Sequence, residues 1–276
     1  NGSQPQQYEF IKEQSPAFFE KIKQAVKNGN IEPQGGMWVE PDTNLPCGES
    51  LIRQCFYGKT YFRKEFGKDV KTLWLPDVFG YTAALPQIIK KCGMDNFLTI
   101  KLSWNTVNQF PYHTFLWQGL GGSEVLVHMP PEGDYNSNAT PYAFDKISKK
   151  YKEKAVSKIA FMPFGIGDGG GGPGEYHVEM AKRCEKLPYL PKVKLSSSES
   201  FFEELQKDTL KYPKHKGELY LEKHQGTYTT QGKVKKNAKK NGMCFMFVSL
   251  SDFSTVPVLF SRCQQKTRPK ARWRYT

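Results

Sequence analysis

Apolar positions recur along this chain with two periods, one helical and one extended. Between residues 4 and 28, Tyr8, Ile11, Phe18, Phe19, Ile22 and Val26 share a helical face. Ser15-Pro16 interrupts that face, because the residue before a proline is pushed out of the helical region. Further helical periodicity covers 50–66, 82–91, 141–154, 175–185 and 201–207. The helix at 82–91 should end at Gly93, with Lys90 and Lys91 near the negative end of its dipole. Short apolar runs of strand type lie at 37–39, 72–75, 97–100, 159–162, 193–195 and 219–221. Runs 114–117 and 124–128 flank Gly119-Leu120-Gly121-Gly122, the pattern of an antiparallel hairpin. Strands separated by helices require crossover connections. The pattern therefore predicts an α/β fold whose mainly parallel sheet is covered on both faces and carries a short antiparallel hairpin.

A length of 276 residues suffices for one large domain or two small ones, and 14% aromatic residues argues against disorder. No window has the long uncharged apolar run of a membrane span. The net charge of +13 raises a nucleic-acid reading, but eleven Lys or Arg against one acid between Lys233 and Thr276 account for +10 of it. The basic character belongs to a tail without a nucleic-acid fold motif, so no nucleic-acid partner is expected. Residues 233–276 break the alternation of elements and are expected to pack poorly. Six cysteines without a CxxC pair read as reduced thiols. The chain starts at Asn1 without a basic-then-apolar leader, so its amino terminus carries no readable address.

In a parallel sheet, ligands gather at the carboxyl ends of the strands, which makes the loops after strands the place to look for chemistry. Glu40-Pro41-Asp42 puts two carboxylates after the run at 37–39. Pro76-Asp77-Val78-Phe79-Gly80-Tyr81 places an acid between a proline and a glycine at a strand end; a helix-capping role for Asp77 is the alternative. The run Phe164 to Pro173 is rich in glycine, with Asp168 as its charge. It lacks the Gly-Lys-Ser/Thr of a phosphate-binding loop, so a nucleotide site is not expected, whereas close approach of a sugar ring to the backbone is. His224 to Thr230 is polar, aromatic and hydroxyl-rich, suited to carbohydrate contact or to an ordinary edge strand. The histidines show no HxxxH or HxD spacing. Acetal hydrolysis needs one acid to protonate the leaving oxygen and a second carboxylate to attack or to activate water, which makes Asp77 and Asp168 the candidate pair.

The motifs Met37-Trp38-Val39-Glu40-Pro41-Asp42, Pro46-Cys47-Gly48-Glu49-Ser50, Trp74 to Tyr81 with Leu85-Pro86-Gln87, Lys101 to Asn105, Gly167 to Pro173 and His224 to Thr230 resemble glycoside hydrolase family 38, in its cytosolic and vacuolar α-mannosidase class. The resemblance covers about residues 3 to 241. It implies retaining, zinc-dependent hydrolysis of terminal α-mannosidic linkages in N-glycan-derived oligosaccharides. It further implies Asp77 as nucleophile and zinc ligand, Asp168 as candidate acid/base, and Lys101, Trp104, His224 and Tyr228 as substrate-binding residues. The expected partner is a mannose-containing oligosaccharide, with no membrane, an oligomeric state the sequence leaves open, and a cytoplasmic compartment (vacuolar or lysosomal as the alternative). Of the family's four zinc ligands Asp77 alone is matched: the His-x-Asp motif belongs before residue 1, and a further histidine belongs downstream. The resemblance divides the chain into a partial catalytic domain, 1–241, and a basic tail, 242–276, expected to be read-through of non-coding sequence. A catalytically inactive truncated product is the alternative reading.

Overall fold

The computed structural model describes residues 2–168 and 171–237. Five short strands form one sheet: β1 Thr72–Trp74, β2 Asn96–Leu98, β3 Thr114–Gln118, β4 Glu124–His128 and β5 Lys214–Lys216. Their order is β1-β2-β4-β3-β5. β1 with β2, β2 with β4 and β3 with β5 are parallel, and the β3–β4 hairpin is antiparallel, in register from Thr114 opposite His128 to Gln118 opposite Glu124. The α/β architecture, mainly parallel with one antiparallel hairpin, is the one the pattern predicts.

Alternation along the strands supplies two cores, one on each face. Leu73, Phe97, Phe115, Trp117, Val125 and Val127 pack with Leu51 and Cys55 of α3 (Gly48–Phe66) and with Leu85, Ile88 and Ile89 of α4 (Leu85–Lys91). Trp74, Leu98, Leu116 and Leu126 turn the other way, onto Phe201, Phe202 and Leu205 of α7 (Ser198–Gln206). A third cluster joins α1 (Pro5–Gln14) and α2 (Pro16–Lys27) to α3 through Tyr8, Phe19, Ile22 and Phe62. Pro16 stands in the first turn of α2, so the break at Ser15-Pro16 is a helix boundary. α5 (Pro141–Lys150) is capped by the Thr140 hydroxyl, which accepts from the Ala143 N–H at 3.3 Å, and α6 spans Glu175–Cys184. The carboxylate of Glu32 caps α7 from across the sequence, accepting from the N–H groups of Ser198 at 2.9 Å and Glu199 at 2.8 Å.

Four apolar runs read as strands form no ladder. At 37–39 the N–H groups of Trp38 and Val39 are taken by Gln54 of α3, and the sheet is met earlier, by a single bridge from Gly35 to Leu73. The runs at 159–162 and 193–195 are loops whose apolar side chains (Ile159, Phe161, Met162 and Val193) pack against the cores; their hydrophobicity reflects burial without pairing. Leu219 and Leu221 are buried, but 219 makes one isolated bridge, to Tyr81, and the fifth strand is the polar Lys214–Lys216 at the sheet edge.

The chain divides into two compact units, 1–229 and 230–276. Of the second, residues 230–237 are described, with 232–237 helical. The expectations for 242–276 fall outside the described residues. Among the described residues no helix is long and apolar enough to cross a membrane. Cys47, Cys55, Cys92 and Cys184 are free thiols.

Candidate active site

Adjacent parallel strands deliver one loop each to the same end of the sheet. The loop after β1 carries Asp77, the segment after β2 carries Lys101 and Trp104 in one turn of 3-10 helix, and the loop after β4 carries Tyr135. A carboxylate oxygen of Asp77 forms an ion pair with the ammonium of Lys101, which is 3% exposed. That ammonium also lies 3.6 Å from the ring centre of Trp104 and 5.1 Å from that of Phe79, a cation–π arrangement that keeps a buried charge attended on three sides. His224 stacks beside Phe79 with ring centres 4.7 Å apart and stands 6.2 Å from Trp104.

The second oxygen of Asp77 accepts from the Tyr135 hydroxyl at 3.2 Å, and the same hydroxyl reaches Asp168 at 2.9 Å. Those two carboxylate oxygens are therefore no more than about 6 Å apart, the combined length of the two contacts. The glycine-rich loop is brought there by a parallel bridge between Phe164 and Ser137 and by the Gly165 N–H donating to the Ser137 carbonyl at 3.2 Å. A third carboxylate, Glu40, approaches from the 37–42 segment and accepts from the Ser3 hydroxyl at 2.8 Å. Burial pushes its carboxyl above the usual range, the Ser3 bond pulls it down, and the charge of Asp77 adds a further upward push.

All six residues named from the sequence meet here, with different tasks. Asp77, Asp168, Lys101, Trp104 and His224 line one continuous arrangement. Tyr228 faces the protein instead: its hydroxyl donates to the Phe79 carbonyl and accepts from the Asn44 side chain at 2.7 Å, so it holds the Asp77 loop. Asn44 and Thr43 grip that loop again through the Gly80 carbonyl, each at 3.1 Å. Asp42 serves its own turn, accepting from the N–H groups of Asn44 and Leu45. Sequence reading missed Tyr135, although its place in the loop after a parallel strand satisfies the criterion that found Asp77.

Glu222 clamps the wall. Its carboxylate accepts from the N–H groups of Thr106, Val107 and Asn108 at 3.0, 2.9 and 2.8 Å, which ties the segment after Trp104 to the one before His224. These donors, the Val107 N–H foremost, hold its carboxyl below the usual range. The folded value lies below the unfolded one, so this stabilisation is complete above the unfolded value and disappears as pH falls through the folded one. Glu222→Gln is therefore expected to lower the urea midpoint at pH 7, with the gap from wild type closing in acid; a gap of the same size at pH 7 and pH 3 would contradict the clamp.

Among the described residues no group of three or more His, Cys, Asp or Glu is placed to hold a metal ion. Both oxygens of Asp77 are engaged, one by Lys101 and one by Tyr135. The described residues do not fit a zinc site at Asp77.

Residues 2–228 match the family described as glycosyl hydrolases family 38 N-terminal domain. The human protein named alpha-mannosidase 2C1 is 44% identical over 238 residues, covering 86% of this chain and 23% of that protein. Alpha-mannosidase G of Dictyostelium discoideum is 44% identical over 242 residues, covering 88% of this chain and 22% of its own length. The chain thus spans about a quarter of the length of these curated relatives. Among solved structures, an alpha-mannosidase from Enterococcus faecalis V583 superposes with a TM-score of 0.63 over 79% of this chain and 25% of that one, at 16% identity, which speaks to fold alone.

Proposed function

Since the chain belongs to glycosyl hydrolase family 38, we propose that its site hydrolyses terminal α-mannosidic linkages of mannose-containing oligosaccharides with retention of configuration. The observation that carries this reading is the pair Asp77 and Asp168, held through one hydroxyl with oxygens no more than about 6 Å apart. Carboxyls that close suit a covalent glycosyl intermediate, whereas an inverting site keeps them roughly 6.5–9.5 Å apart to admit water between them. In this reading Asp77 attacks the anomeric carbon and Asp168 protonates the departing oxygen, then takes a proton from the incoming water. Lys101 pairs with Asp77 and keeps its carboxylate aimed. Trp104 is 38% exposed and offers a ring face to the C–H face of a pyranose, with His224 beside it.

The resemblance also implies zinc, but no step is assigned to it, because a zinc ion at Asp77 would need ligands that the described residues do not supply. Free thiols at four described cysteines support the cytoplasm as the compartment.

The test is release of mannose from p-nitrophenyl α-mannoside by the 276-residue chain, followed by proton NMR. Retention predicts α-mannose as the first-formed anomer. β-Mannose first would overturn the stereochemical assignment, and no release would leave the chain as the inactive product that the sequence offered as the alternative.

A further inference from the structure

We propose that Tyr135 is a positioning residue that sets the gap between Asp77 and Asp168 and keeps the acid aimed at the leaving oxygen. The catalytic consequence rests on the glycosidase reading above; the bridge itself does not. Tyr135 belongs to neither carboxylate's loop, and its single phenolic hydrogen is shared between them at 3.2 and 2.9 Å. Its own place is fixed from both sides. The Asp134 carboxylate accepts from the Asn136 N–H at 2.8 Å, turning the backbone around Tyr135, and Ser137 pairs with the glycine-rich loop two residues later.

Close packing adds a second constraint. A Cβ on Gly167 would fall 2.4 Å from the Tyr135 ring and 2.1 Å from the Asn136 side-chain oxygen, so the residue before Asp168 lies directly against the tyrosine. The ring supports the loop while the hydroxyl spans the carboxylates. Among the described residues, Lys101 is committed to Asp77, and Glu40 lies close enough to feel the charge of Asp77.

Tyr135→Phe removes the bridge and keeps the ring. With 4-methylumbelliferyl α-mannoside, whose departure is helped by a proton, kcat/KM is expected to fall about a hundredfold, the scale of a misplaced catalytic group. With 2,4-dinitrophenyl α-mannoside, which leaves unaided, the fall should be under about threefold. Equal falls, or none, would overturn the assignment. A second measurement needs no turnover: urea unfolding of Tyr135→Phe, Asp168→Asn and the double variant. Coupling of at least about threefold in the unfolding constant is expected for groups in direct contact, and additive effects would overturn the bridge. A wild-type chain that shows coupling but cleaves neither substrate would sink the proposed function and leave the bridge standing.

Discussion

Asp77→Asn is expected to lose at least about 10⁴-fold in turnover of an aryl α-mannoside, and to lower stability by about 3 kcal/mol. The first effect follows from the role of nucleophile proposed for Asp77. The second follows from what Asp77 does for Lys101. The lysine ammonium is 3% exposed and packed against the faces of Trp104 and Phe79. The rings soften its desolvation, but the carboxylate is the partner that neutralises it. An amide keeps a bond to Tyr135 and withdraws the charge, so the ammonium is left buried and uncompensated. Removing one member of such a pair costs far more than replacing both. Lys101→Met in the same background is therefore expected to restore most of the urea midpoint and none of the turnover. Full stability in the single variant would mean that the ion pair contributes little. Turnover above a tenth of wild type would exclude Asp77 as nucleophile.

Gly58→Ala is the second large effect, and its sign is decided by magnitudes. In the interior of α3, helix propensity alone favours alanine by about 1 kcal/mol. The added methyl, however, would lie 2.5 Å from the Gly36 carbonyl oxygen and 2.5 Å from the Met37 carbonyl carbon. Both are backbone, and neither can swing aside as a side-chain tip would. The segment is also sewn to α3 by the Trp38 N–H to the Gln54 carbonyl at 3.0 Å and the Val39 N–H to the Gln54 side chain at 3.1 Å. Overpacking against fixed backbone outweighs propensity, for a net loss of about 2 kcal/mol and a fall in melting temperature on the order of 4–8 °C. Gly48→Ala at the start of the same helix meets nothing within 4 Å and serves as the control, with little or no loss expected. A Gly58 variant as stable as wild type would show that the 36–37 segment can retreat.

The same segment shows where sequence reading stops. Met37-Trp38-Val39 has strand composition, but whether its N–H groups meet a strand or a glutamine on a helix depends on residues far from the window. The helices and the hairpin were legible because their signals are local: Pro16 at a helix start, apolar spacing in α3, four residues rich in glycine between β3 and β4. Asp77 was legible because strand, proline and glycine coincide around it. Tyr135 also follows a strand, prolines and a glycine, but those signals mark the loop and do not tell that a hydroxyl in it will reach two carboxylates from different loops. Tyr228 illustrates the reverse. A hydroxyl in a polar, aromatic stretch suits sugar binding by composition, yet its partners are the Phe79 carbonyl and Asn44.

The Glu222 clamp and the Tyr228 contact also bear on the order of assembly. Both side chains lie close to the end of the first compact unit, more than a hundred residues after the loops they secure. During synthesis the segments bearing Asp77, Lys101 and Tyr135 leave the ribosome well before either fastening arrives. The sheet can gather early from neighbouring elements, but the mouth above it waits for the last stretch to emerge, and a nascent chain halted just short of Glu222 would hold its carboxylates in unfastened loops.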